Sequence, residues 1–243
     1  VKVQWTRDND MKGGRYRPAY VHRVKAGLDK DGKLVAWNNH IVGQSIMAAS
    51  PFESMITNGI DITSVEGASN IPYAIPNVKV ELSTMKTGVP VLWWRAVGST
   101  HTAYAVETFI DELAEAAKKD PVEFRRVNLI NPDDLPYTTA TQMVLDKITP
   151  KETLDQVVEM IGVDAFRAEQ AAAKAEGRIL GLGIAGYVEP SAIAFGVLIY
   201  TAIAPDHAGE GALAGILGAA ALGIVAPLVS RNGGFITAPC APA

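Results

Sequence analysis

The sequence predicts an α+β fold: an antiparallel sheet with packed helices, followed by an Ala/Gly-rich hydrophobic helical tail. Three observations predict it. Residues 20–42 hold two alternating runs joined by DKDGK, the pattern of a β-hairpin with Asp-Gly turn chemistry. Residues 99–117 carry an apolar stripe at helical spacing. Residues 211–230 run for twenty positions without a charge, long enough to cross ~30 Å of hydrocarbon.

Taken in order, Val1, Val3 and Trp5 alternate with polar neighbours, as in a half-buried strand. In the next run Tyr20, His22, Val24, Ala26 and Leu28 alternate with Val21, Arg23 and Lys25. His22 is read there as a strand residue facing a neighbour, in preference to a ligand. Residues 43–64, with Gly43, Pro51 and Gly59, look irregular: a functional loop or a long connection. PYAIPN, residues 72–77, is a rigid turn into a strand over 78–83.

The segment 91–114 is the one against which the rest is read. Two Trp lead in, a short turn follows around Arg95 and Gly98, and Ser99 and Thr100 are N-cap types for the helix behind it. Val106, Ile110, Leu113 and Ala117 are expected to face inward, with Glu107, Asp111, Glu112 and Glu115 on the other face. Such a strand, turn and helix N-terminus can present backbone N–H groups to an anion. The plainer reading, a turn glycine beside a core Trp pair, stands next to it. Further on, Asp120, Pro121 and Glu123 form a helix start with cap, first-turn proline and acidic third residue. Helices are expected over 150–162 and 163–176, with Gly177 as the stop.

Composition narrows the function classes. The 243 residues carry a net charge of −4, which argues against a nucleic-acid binder. A single cysteine, Cys240, excludes an internal disulfide and a Cys-ligated iron–sulfur cluster. His22, His40, His101 and His207 show no metal-ligand spacing, so no metal site is assigned. No catalytic residue can be named either, and a phosphate-binding G-x-x-x-x-G-K-[ST] loop is absent. The chain opens without Met and inside an apparent strand, which reads as a piece of a longer protein.

Several stretches in sequence carry a family likeness: VKVQWTRDNDM, YRPAYVHRVKAGLDKDGKLVAWNNHIVGQSI, SVEGASNIPYAIPNVKVEL, VPVLWWRAVGSTH and KDPVEFRRVNLI. Together they resemble the molybdopterin-binding large subunit of the xanthine dehydrogenase and aldehyde oxidase family, of the isoquinoline 1-oxidoreductase β-subunit type. NLINPDDLPYTTATQMVLD resembles the same family as found in carbon monoxide dehydrogenase and aldehyde oxidase large subunits. LGLGIAGYVEPS also matches, as a strand. The likeness covers residues 1–193, read as a partial molybdopterin-binding domain over 1–131 and its continuation over 132–193.

What the resemblance implies is an oxidoreductase that hydroxylates N-heterocycles or aldehydes with water as the oxygen source. Its cofactor is molybdopterin with molybdenum, and its electrons leave through an iron–sulfur small subunit. The turn Arg95, Ala96, Val97 and Gly98 matches the family's cofactor loop, with Ala96 where a glycine is usual and Val97 where purine-type enzymes have an aromatic. Arg95 either fixes that loop or pairs an anionic group, or it is a buried structural residue. Glu66 aligns with a substrate-side Glu of purine-oxidising relatives, but Gly67 stands where their Arg would be. Purine recognition is therefore in doubt, and Glu66 is expected to be a surface carboxylate. The family's glycine loop and its catalytic Glu near the C-terminus are not found in these residues, so the segment is expected to be a fragment, inactive alone.

After Ser191 the character changes. Residues 194–243 resemble, over a short low-complexity stretch, the first membrane helices of the sulfate permease family. The alternative to a membrane helix is an Ala/Gly-rich buried helix. This segment carries the second functional reading, a membrane-associated anion transporter fragment fused to a soluble segment. Residues 1–193 would sit in cytoplasm or periplasm and 194–243 in a membrane. A fusion, a frameshift and an assembly error are all open as explanations of the junction.

Overall fold

A computed structural model describes residues 2–94 and 96–188 of the chain. The described residues fall into two compact units: 2–17, 89–94 and 96–100 in one, 18–88 and 101–188 in the other.

The larger unit starts as the hairpin the sequence predicts. β1 (Tyr20–Leu28) and β2 (Leu34–Gln44) pair antiparallel from Tyr20↔Gly43 to Leu28↔Leu34. Asp29 makes the turn, its Oδ1 accepting from the amides of Asp31 at 2.9 Å and Lys33 at 2.8 Å. Such Asp side-chain bonds to the following backbone are the local reason the chain reverses there. Gly43 is fixed by its partner: a Cβ there would lie 2.1 Å from Tyr20 Cδ1, so the Tyr20 ring needs the glycine beneath it.

The sheet is mixed where an antiparallel one was expected. β3 (Val78–Met85) joins β2 in parallel, from Trp37↔Val78 to Gln44↔Met85, giving the order β1-β2-β3. Parallel neighbours need a crossover of a dozen or more residues, and residues 45–77 supply it. That stretch is ordered: a 3-10 turn at Glu53–Met55 and the short α2 (Ile62–Val65) interrupt it. Asp61 caps α2, accepting from Thr63 N at 2.8 Å, and also accepts from the Ser45 hydroxyl.

Four helices follow. α3 (Ser99–Ala116) begins where the N-cap types predict, and α4 (Pro121–Asn128) is capped by Asp120, whose Oδ1 accepts from Val122 N at 2.8 Å. α5 (Pro150–Ile161) ends on Gly162 at φ +69°, and α6 (Val163–Ala175) runs on from it. A two-residue hairpin, β4 (Tyr137–Thr138) with β5 (Val144–Leu145), sits between α4 and α5. The core gathers Leu34, Trp37, Ile75, Ile110, Phe124 and Leu154 among its buried residues. Trp37 meets Phe109 edge-on at 5.4 Å. Side chains buried as fully as Ile110 and Phe124 stabilise by roughly 1.5–3 kcal/mol each.

Two further expectations are corrected. Residues 2–6 form no strand; Thr6 instead caps the short α1 (Arg7–Gly13), accepting from Asn9 N at 3.3 Å. Val3 and Trp5 stay exposed, because alternation without a neighbouring strand has nothing to pair with. Residues 180–188, where a strand was expected, form none; Leu182 and Ile184 pack on the core. The hydrophobic tail expected over 194–243 lies outside the described residues. Among the described residues no helix is long and apolar enough to cross a membrane.

Candidate functional site

The predicted cofactor turn belongs to the smaller unit. Arg95 lies outside the described residues; Ala96, Val97 and Gly98 form a turn leading directly into α3. Ala96 has φ +62° and Val97 φ +35°. Two successive residues with side chains in the left-handed region are costly, Val97 most of all because it is β-branched. Such strain of about 1–3 kcal/mol per residue persists where surrounding structure imposes it, and it clusters at binding sites.

The hydrogen bonds of the turn are partly internal. Val97 N donates to Trp94 O at 3.0 Å, so this amide is not offered to an anion as the sequence suggested. Val97 O accepts from Thr100 Oγ1 at 2.9 Å. Beside the turn, the Arg17 guanidinium lies 5.4 Å from the centre of the Trp94 ring, a cation–π distance. Tyr16 bonds both ways across to residues 90–92, its amide to Pro90 O and its carbonyl from Leu92 N, each at 3.0 Å. That lashes the N-terminal residues to the segment before the turn.

Ser99 decides whether a polar cofactor fits here. Its hydroxyl is buried and has no partner, and it stands on the first residue of the 18-residue α3. An orphaned hydroxyl at a helix N-terminus is a donor to an anionic or carbonyl oxygen, assisted by the helix dipole. The residues present therefore fit a molybdopterin, whose phosphate and pterin edge are rich in such oxygens.

The larger unit holds two polar clusters that sequence reasoning missed. Glu107, expected on the exposed face, is 3 % exposed. Its Oε1 accepts from Tyr73 OH at 2.9 Å; its Oε2 accepts from Arg125 Nε at 3.1 Å, Arg125 Nη2 at 3.0 Å and Gly186 N at 3.1 Å. Arg125 Nη1 also donates to Asp111 at 2.6 Å. Burial pushes the Glu107 carboxyl up, while Arg125, Tyr73 and the Gly186 amide pull it back by donating to it. Position 107 adjoins the apolar stripe at Val106 and Ile110, which was the only local hint of burial.

The second cluster runs through His22, placed by the sequence as a strand residue facing a neighbour. It bonds to Asn39 at 3.2 Å and to His101 at 2.8 Å, and Tyr20 stacks on His101 at 3.6 Å. Glu66, expected at the surface, is half-buried, and its carbonyl accepts from Thr102 Oγ1 at 2.7 Å. An open cleft of about 580 Å³ is lined by Lys25, Trp37, Asn38, Asn77 and Lys79 among others, and by none of the turn residues. It lies against the sheet and carries no convergent set of reactive groups.

Comparison with known proteins names the class of this fold. The chain belongs to the molybdopterin cofactor-binding domain family, whose model matches residues 1–129. It is 27% identical over 195 residues to the gamma subunit of the 6-hydroxypseudooxynicotine dehydrogenase complex of Paenarthrobacter nicotinovorans, covering 76% of this chain and 24% of that protein. To the beta subunit of isoquinoline 1-oxidoreductase of Brevundimonas diminuta it is 28% identical over 132 residues, 53% of this chain and 17% of that one. The crystal structure of quinoline 2-oxidoreductase from Pseudomonas putida 86 superposes with a TM-score of 0.60 at 26% identity, over 71% of this chain and 22% of the other. The chain thus spans no more than 24% of the length of these relatives.

Proposed function

We propose that this chain is a segment of the molybdopterin-binding wall of a molybdenum hydroxylase acting on N-heterocycles or aldehydes, inactive by itself. The observation that carries the proposal is the family match over residues 1–129, set beside the strained turn and unpartnered Ser99 hydroxyl at the head of α3. When bound, the cofactor would supply the redox and oxygen-transfer chemistry, with water as the oxygen source. This chain's residues hold and orient it. The backbone of Ala96, Val97 and Gly98 shapes the edge of the pocket, Ser99 donates from the first turn of α3, and Arg95 supplies charge. That these relatives are named as subunits supports a partner subunit, and an iron–sulfur protein is the partner proposed.

The test is to express the full chain in a host that makes the molybdenum cofactor. Pterin released on denaturation is measured by its fluorescence after oxidation. Retained pterin that falls at least tenfold in Ser99→Val, with no turnover of N-heterocycles or aldehydes in either protein, is the expected result. A chain that retains no pterin, or one that turns over substrate unaided, overturns the corresponding half of the proposal.

A further inference from the structure

Asn39 sits on β2, fully buried, with Oδ1 3.2 Å from His22 Nδ1 on the neighbouring β1. His22 Nε2 in turn lies 2.8 Å from His101 Nδ1 on α3. With the amide oxygen facing the ring, His22 carries its proton on Nδ1, since two acceptors cannot bond to each other. Its Nε2 is then an acceptor, and His101 must also carry its proton on Nδ1. The consequence is forced through both rings: His101 Nε2 is left as a bare acceptor. That nitrogen is buried and has no partner.

The surroundings restrict what can reach it. Tyr20 covers one face of the His101 ring at 3.6 Å and an interplanar angle of 13°, so approach to Nε2 runs in the ring plane. Tyr20 is itself held, donating to Gln44 O at 2.8 Å and bonded to Ser64 Oγ at 2.9 Å. Burial holds His101 down at about 3, well below an ordinary imidazole, and the nearby His22 adds to it. The ring is therefore neutral in ordinary buffers. No charged group takes part in the chain, so nothing in it balances a desolvated cation.

We infer that Asn39, His22 and His101 form a relay that makes His101 Nε2 the recognition atom of a buried site for a neutral N–H or O–H donor group. The inference goes beyond the cofactor turn and stands or falls separately from it.

Nitrogen-15 labelling of the histidines in the full chain, read by two-bond proton–nitrogen correlation at neutral pH, tests it. Both rings are expected in the Nδ1–H form, against the Nε2–H form that free side chains favour. Formamide, used as the neutral N–H donor, is expected to move the His101 Nε2 resonance upfield, while ammonium at the same concentration leaves it in place. Asn39→Leu is expected to return His101 to the Nε2–H form although it does not touch that residue. If the leucine variant does not fold, the tautomers and the formamide titration of the wild-type chain still decide the inference, because both are read in the unaltered protein. Nε2–H on both rings in the wild-type chain overturns the inference, and so does a formamide titration without a shift.

Discussion

Two buried polar clusters in the larger unit, one charged and one neutral, end differently. Around Glu107 the side chains close on one another: Tyr73, Arg125 and Gly186 all donate to one carboxylate, tying four stretches of chain together. Around His101 the chain of bonds stops at an atom with no partner, and at its other end Asn39 Nδ2 has none either. A closed network holds elements in place, and breaking it leaves a buried charge exposed to nothing. An open-ended one leaves buried polar atoms without a protein partner, at a cost in stability that a bound water or ligand would offset.

The contrast can be broken most directly at Arg125. Arg125→Met strands the Glu107 carboxylate and is expected to cost about 3–5 kcal/mol in urea unfolding. Adding Glu107→Leu should recover much of that loss. A loss under about 1 kcal/mol for the single variant would remove the closed network as a structural element.

The His101 end is expected to show itself in pH. Its folded pKa of about 3 lies below the ordinary 6.5, so between those values the unfolded chain binds more protons than the folded one. Stability is full above about 6.5 and falls as the pH drops toward about 3, by at most about 1.4 kcal/mol per pH unit. His101→Phe should flatten that slope in pH-dependent denaturation. An unchanged slope assigns the acid sensitivity to other groups.

Smaller effects sharpen the same division. Tyr73→Phe removes the donor to Glu107 Oε1 and is expected to lower stability by about 1–2 kcal/mol. Val97→Gly should do the opposite, raising the melting midpoint by the equivalent of about 1 kcal/mol as the left-handed strain is relieved. A loss of stability in that variant would mean the Val97 side chain contributes packing that outweighs its backbone cost.

Much of this was legible in the residues. The Asp29 turn, the Asp120 cap with Pro121, and the ends of α5 and α6 all depend on partners within four positions, which a sequence displays side by side. A turn at 96–98 does lead straight into α3, although its internal use of the Val97 amide was not foreseen. The burial of Glu107 was missed because its neutralising partner, Arg125, lies 18 residues away. The His22–His101 contact spans 79 residues, and no periodicity reports on that distance.

By itself, then, the sequence determined the hairpin, the helix starts and stops and, through the order of its motifs, the family. Hydrogen bonds between near neighbours and side-chain periodicity are written into adjacent residues, so they needed no fold to be read. Only the tertiary structure decided that β3 runs parallel to β2, that a glutamate on α3 points inward, and that two distant imidazoles meet within hydrogen-bond distance. Those outcomes depend on how the crossover over residues 45–77 returns the chain to the sheet and which side chains then face each other across it.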